Sequence, residues 1–177
     1  MEPPCTVDND QAIRSPIRVE LLVNGGSWSD DVKWDYFIEQ VVAVTCRSIG
    51  FSPPVGLVEL SVVLTSDDAI RKLNLEFRGK DQATDVLSFL GDGAELCEQR
   101  QREYRPLLLG DIVVAYETVI RDSAALRKSV CDHLSRLIIH GLLHLLGYDH
   151  EEEALADQME DTEKFVLTKL GIDANVY

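Results

Sequence analysis

Residues 140–150 read His-Gly-Leu-Leu-His-Leu-Leu-Gly-Tyr-Asp-His, and no other stretch of the chain constrains its structure so tightly. His140 and His144 stand one helical turn apart, which puts their Cβ atoms roughly 5–6 Å from each other on one face. The leucines between and after them suit a buried helix. Gly147 supplies the freedom to end that helix and turn, so that Gly147-Tyr148-Asp149 can bring His150 back towards the pair. A single histidine among leucines is an ordinary core residue. Three at this spacing, around a helix-ending glycine, match the ligand set of a metal ion. Three neutral imidazoles with one open position are the arrangement of a catalytic zinc rather than a closed structural one. His133, the fourth histidine, lies seven residues before His140 on the same face, as a hydrogen-bonding partner behind a ligand or as a core or surface histidine.

The spacing HxxxHxxGxxH is also that of zinc proteases of the metzincin class, HExxHxxGxxH. Here position 141 is glycine, so the glutamate that activates water in those proteases is missing. Met159 falls on a predicted helix and Met1 is the only other methionine, so a methionine turn has no good candidate. A protease remains an alternative without its usual base.

The rest of the chain predicts an α+β domain. Ile17 to Val23 reads as a strand closed by Asn24-Gly25-Gly26. A helix is expected after Ser29 or Asp30 and up to Ile49, with Gly50 as its stop. Leu57 to Thr65 alternates as a half-buried strand, and Ser66 caps a short helix through Phe77. Asp85 to Leu90 and Leu107 to Ala115 are two more strands around a polar stretch, 91–105, expected to be a mobile loop. Helices follow over about Glu117–Leu126, Ser129–Leu146 and Glu151–Leu170. The expected architecture is one small mixed sheet flanked by helices, with the metal site at the end of a helix in the C-terminal half. Residues 1–16 read as a flexible tail and 17–177 as a single catalytic domain.

Charge narrows the partners. The chain carries 31 acidic and 17 basic side chains, a net charge of −14, which argues against a generic nucleic-acid coat. Eight of the acids fall between Asp149 and Glu163 with no Lys or Arg among them, a run that reads as a solvated helix face. Arg71, Lys72, Arg78 and Lys80 form the opposite, a local basic stretch. Arg78 is either a surface ion-pair residue or a rigid five-donor fork for phosphate. Cys5, Cys46, Cys97 and Cys131 are scattered without CxxC pairs and read as reduced thiols of a cytoplasmic protein. No membrane segment or signal peptide is recognisable, so no membrane partner is expected.

Taken together, "RGKDQATDVLSF" at 78–89, "LLLGDIVVA" at 107–115 and the histidine block at 140–150 resemble the YbeY family of bacterial endoribonucleases. The resemblance covers roughly residues 57–170 in order and spacing. One departure is Leu90, where the family commonly follows LSF with proline, and this bears on strand exit rather than on chemistry. The resemblance implies a metal-dependent, single-strand-specific endoribonuclease acting in ribosomal RNA processing, including the 3′ end of the small-subunit RNA, and in ribosome quality control. It implies His140, His144 and His150 as ligands of one Zn²⁺ (or another divalent transition metal), Arg78 as the catalytic arginine, and single-stranded ribosomal RNA with the ribosome or its proteins as partners. Asp85 is either a polar partner in that chemistry or the cap of the turn before its strand. A third reading is a non-catalytic, ribosome-associated zinc protein, with Asp149 as the candidate fourth ligand of a closed site.

Overall fold

The computed structural model describes residues 14–53, 57–91, 106–148 and 153–174. Among them run four strands and five helices: β1 (Ile17–Val23), α1 (Trp34–Ser48), β2 (Val58–Thr65), α2 (Asp67–Arg78), β3 (Val86–Leu90), β4 (Leu107–Ala115), α3 (Tyr116–Leu126), α4 (Val130–Leu145) and α5 (Glu153–Lys169). The sheet order is β1-β2-β4-β3. β1, β2 and β4 are parallel, and β3 returns antiparallel to β4. This is the expected mixed sheet of an α+β fold. The tail at 1–13, most of the expected loop at 91–105, and residues 149–152 lie outside the described residues.

Strand alternation builds the core. Val58, Leu60, Val62 and Leu64 of β2 point to one side with Ile112 and Val114 of β4, and there they meet α1, α4 and α5 in the main cluster. Val113 and Ala115 point to the other side and pack with Ile70 of α2 and Leu87 of β3 in a smaller one. Edge strand β3 is contacted by α4 from one face of the sheet and by α2 from the other.

Serines start two of the helices as the sequence suggests. Ser66 Oγ accepts from the Ala69 amide, and Ser129 Oγ accepts from that of Asp132 at 3.0 Å. α1 departs from expectation, beginning at Trp34 rather than just after Ser29 or Asp30. The Ser29 hydroxyl is taken by the Asp31 amide at 3.2 Å and its carbonyl by Trp34 Nε1 at 2.9 Å, so a local turn claims the groups that would have capped the helix.

The cysteine expectation holds for one residue and fails for another. Cys46 is a free thiol that burial pushes up to about 12, which leaves it inert. Cys131 is disulfide-bonded. Pairing follows tertiary neighbourhood, which scattered spacing does not reveal.

Candidate metal centre

Helix α4 carries the histidines, and its position is set by a close approach to the sheet. Gly141 lies on the face turned to β3 and β4. A Cβ there would stand 2.9 Å from Ser88 Oγ and 3.1 Å from two side-chain atoms of Ile112. Ser88 and Ile112 are cross-strand partners, so the helix seats directly on the β3–β4 pair. The glycine that replaces the protease glutamate is thus demanded by packing: a longer side chain would force Ser88 and Ile112 to move.

The seating aims both rings. His140 and His144 are half-buried, edge to face, with ring centroids 4.5 Å apart and their Nε2 atoms at 3.0 Å. His140 Nδ1 donates to Glu163 Oε1 at 2.5 Å, and His144 Nδ1 donates to the Tyr148 carbonyl at 3.1 Å. A carboxylate and a carbonyl only accept, so both rings carry a proton on Nδ1, and in the neutral imidazole Nε2 then presents its lone pair. Two lone pairs at this distance call for positive charge between them. Two nitrogens bound tetrahedrally at about 2.0–2.1 Å to one zinc stand about 3.3 Å apart, so the observed separation fits a shared ion. Past Leu145 the Tyr148 amide bonds back to the Leu143 carbonyl at 3.0 Å, and Gly147 takes φ +92°. That turn, expected from the glycine, delivers the Tyr148 carbonyl to His144.

His150 and Asp149 lie outside the described residues. Among those described, no group of three or more His, Cys, Asp or Glu side chains could hold a metal ion. His133 is buried in α4, with a pKa lowered first by burial and then by the charge of Arg136. Seven residues of helix put it about 10 Å along the axis from His140. Asp85 does what a turn cap does, its Oδ1 accepting from the Val86 amide at 2.8 Å and from Thr84 Oγ1 at 3.1 Å.

Arg78 reaches the same place from the other face of the sheet. A cleft of about 460 Å³ is lined by Arg78, Val86, Ser88 and Leu90 on one side and by His140, His144, Leu145, Gly147 and Tyr148 on the other. The segment after α2 is braced around Arg78. Gly79 caps the helix in the left-handed conformation, the Lys80 amide donates to the Asn74 carbonyl at 3.2 Å, and buried Asn74 donates through Nδ2 to the Gln82 carbonyl at 2.8 Å. Arg71 is tied up by Asp81 in a two-pronged pair at 2.6 and 2.9 Å. Arg78 itself is exposed and has no hydrogen-bond or ion-pair partner among the described residues.

One residue of this site escapes a reading of the sequence. Glu163 belongs to the acidic run expected to face solvent, yet its side chain is only 8 % exposed. The signal was its register. Met159, Glu163, Val166 and Leu167 fall on one stripe of α5 and all are buried.

Comparison with known proteins shows the family of the chain. The sequence profile of the Endoribonuclease YbeY family matches residues 26–171. The endoribonuclease YbeY of Rhodospirillum rubrum is 46% identical over 166 residues, covering 87% of this chain and 80% of that one. The Rhodopseudomonas palustris protein of the same name is 40% identical over 153 residues, covering 86% and 77%, and that of Rhizobium meliloti is 39% identical, covering 87% and 91%. The solution structure of TM1509 from Thermotoga maritima superposes with a TM-score of 0.51 at 26% identity, covering 86% of this chain and 90% of that one. By profile and by relatives spanning most of its length, this chain belongs to the YbeY endoribonuclease family.

Proposed function

We propose that this protein is a metal-dependent endoribonuclease that cleaves single-stranded RNA, with His140, His144 and His150 holding one Zn²⁺ or a similar divalent ion. The observation that carries the reading is the pair of histidine Nε2 atoms, 3.0 Å apart, in a cleft that Arg78 also lines. When bound, such an ion supplies Lewis-acid polarisation of a phosphoryl oxygen and an acidified water. The protein's own contribution is geometric and electrostatic. Glu163 and the Tyr148 carbonyl keep the two imidazoles turned inward. Arg78 offers its guanidinium to the phosphate, where charge grows in the transition state and fixed donors count most. Among the described residues no carboxylate competes for it.

In the cell this chemistry fits ribosomal RNA processing, including the 3′ end of the small-subunit RNA, and ribosome quality control in the cytoplasm. The chain's net charge of −14 favours a site-directed mode of action: RNA is met by a local basic stretch and brought near by the ribosome rather than by a long-range field. No helix among the described residues is long and apolar enough to cross a membrane. The Gly141 contacts weigh against the protease alternative, because a general-base glutamate has no room at that position.

The direct test is cleavage of a defined single-stranded RNA with both product ends mapped, with and without a chelator. Chelator-sensitive internal cleavage is the expected result. Metal-dependent proteolysis of an unfolded protein substrate without RNA cleavage would replace this reading with the protease one.

A further inference from the structure

Glu163 lies outside the histidine motif, on a different helix, twenty-three residues from the ring it touches. Its side chain is nearly closed off from solvent, and its two oxygens are divided between two residues of α4. Oε1 accepts from His140 Nδ1, while Oε2 lies 3.7 Å from Arg136 Nε. Arg136 and His140 are one turn apart, so a single carboxylate from α5 spans a full turn of α4. A buried carboxylate is costly unless it is paired and hydrogen-bonded. α5 could have closed over α4 with another apolar residue at this point of its stripe, between Met159 and Val166. A carboxylate there instead has a chemical consequence, because it decides which nitrogen of His140 carries the proton.

We infer that Glu163 is a positioning residue for the metal centre: by accepting the His140 Nδ1 proton it fixes the ring's tautomer and orientation, and so holds the Nε2 lone pair towards the ion. The two Nδ1 atoms are engaged differently. That of His144 meets a backbone carbonyl, which no side-chain substitution removes, whereas that of His140 meets a side chain from another helix. A carboxylate behind an imidazole also makes that imidazole a stronger donor to a cation. Glu163 further links α5 to ligand geometry, so that docking of this helix and assembly of the site are one event. The inference rests on the metal reading above, while its tautomer measurement stands without it.

Two measurements on the full-length protein test it, with Glu163→Ala and Glu163→Gln beside wild type. In metal-free protein, long-range ¹H–¹⁵N spectra of the imidazoles report the tautomer directly. Wild-type His140 is expected as the single Nδ1–H form, and Glu163→Ala as a mixture of both forms. Zn²⁺ titrated against a competing chelator is expected to bind about ten- to a hundredfold more weakly to Glu163→Ala. Glu163→Gln, which can still accept through its amide oxygen but has lost the charge, should fall between. Thermal unfolding of the metal-free variants separates this role from helix packing, since Glu163→Gln preserves volume. A His140 that stays in one Nδ1–H form in Glu163→Ala, or Zn²⁺ affinity equal to wild type in that variant, overturns the inference. Wild type that binds no Zn²⁺ overturns the metal reading instead, and the tautomer spectra still decide the role of Glu163.

Discussion

The two walls of the cleft are built on opposite plans. On the α4 wall the described histidines are held: His140 by Glu163, His144 by the Tyr148 carbonyl, and the helix itself by the contact of Gly141 with Ser88 and Ile112. On the α2 wall the surroundings are held and the key residue is not. Asn74 and the Arg71–Asp81 pair brace the segment, while Arg78 stays exposed and, among the described residues, unpaired. On the proposed reading, the difference follows from what each wall would bind. A metal ion demands nitrogen positions within a few tenths of an ångström, so ligands for one would be fixed in advance. A phosphate on a flexible strand would arrive in many poses, and a long guanidinium could follow it.

Breaking the free wall alone should have the largest effect. Arg78→Glu is expected to lower RNA cleavage at least about a hundredfold, the scale on which one transition-state donor counts, with the fold and metal content retained. Circular dichroism and metal analysis on the same sample check that, and undiminished cleavage would remove Arg78 from the chemistry. Next comes the fixed wall. Gly141→Glu inserts bulk and charge between α4 and the β3–β4 pair, and should cost about 3 kcal/mol or more in chemical unfolding without creating a protease. A stable variant would mean that α4 does not seat as closely as described.

A smaller effect probes how dry the fixed wall is further along the helix. Burial holds the His133 pKa below its ordinary value of 6.5, with Arg136 adding to the shift and Asp122 and Asp85 opposing it. The unfolded chain therefore takes up a proton at His133 more readily than the folded one, so its contribution to stability is complete above pH 6.5 and is lost as the pH falls below that value. Unfolding of metal-free protein at neutral and mildly acidic pH should show a decline in wild type that is shallower in His133→Gln. Equal slopes would indicate that His133 is hydrated. The smallest expected effect sharpens the other wall. Arg71→Ala removes a surface pair of the kind that adds little to stability and should leave cleavage near the wild-type rate, whereas a loss as deep as that of Arg78→Glu would mean that the two arginines share the work.

Much of this was legible in the sequence, and unevenly so. Strand ranges followed from alternation that the core requires, as in β2, where Val58, Leu60, Val62 and Leu64 are all fully buried. The cap at Ser66, the start of a helix near Ser129 and the turn at Gly147 are local chemistry, set within a few residues. The start of α1 was misplaced because two plausible caps compete and a turn at Ser29 wins. The Cys131 disulfide and the burial of Glu163 depend on neighbours brought in by the fold. Charge alone hid Glu163 in a run of exposed acids, and only its place on the apolar stripe of α5 marked it as different. The glycine at 141 was readable as a missing base, and the structure adds the reason, a helix pressed against Ser88 and Ile112.

The claim on which the rest depends is that the α4 wall is preset for a metal ion. Elemental analysis of purified wild-type protein beside His144→Ala tests it most directly. The account predicts about one divalent transition-metal ion per chain in wild type and its loss in the variant. A wild type that carries no metal and takes none up on titration would contradict it.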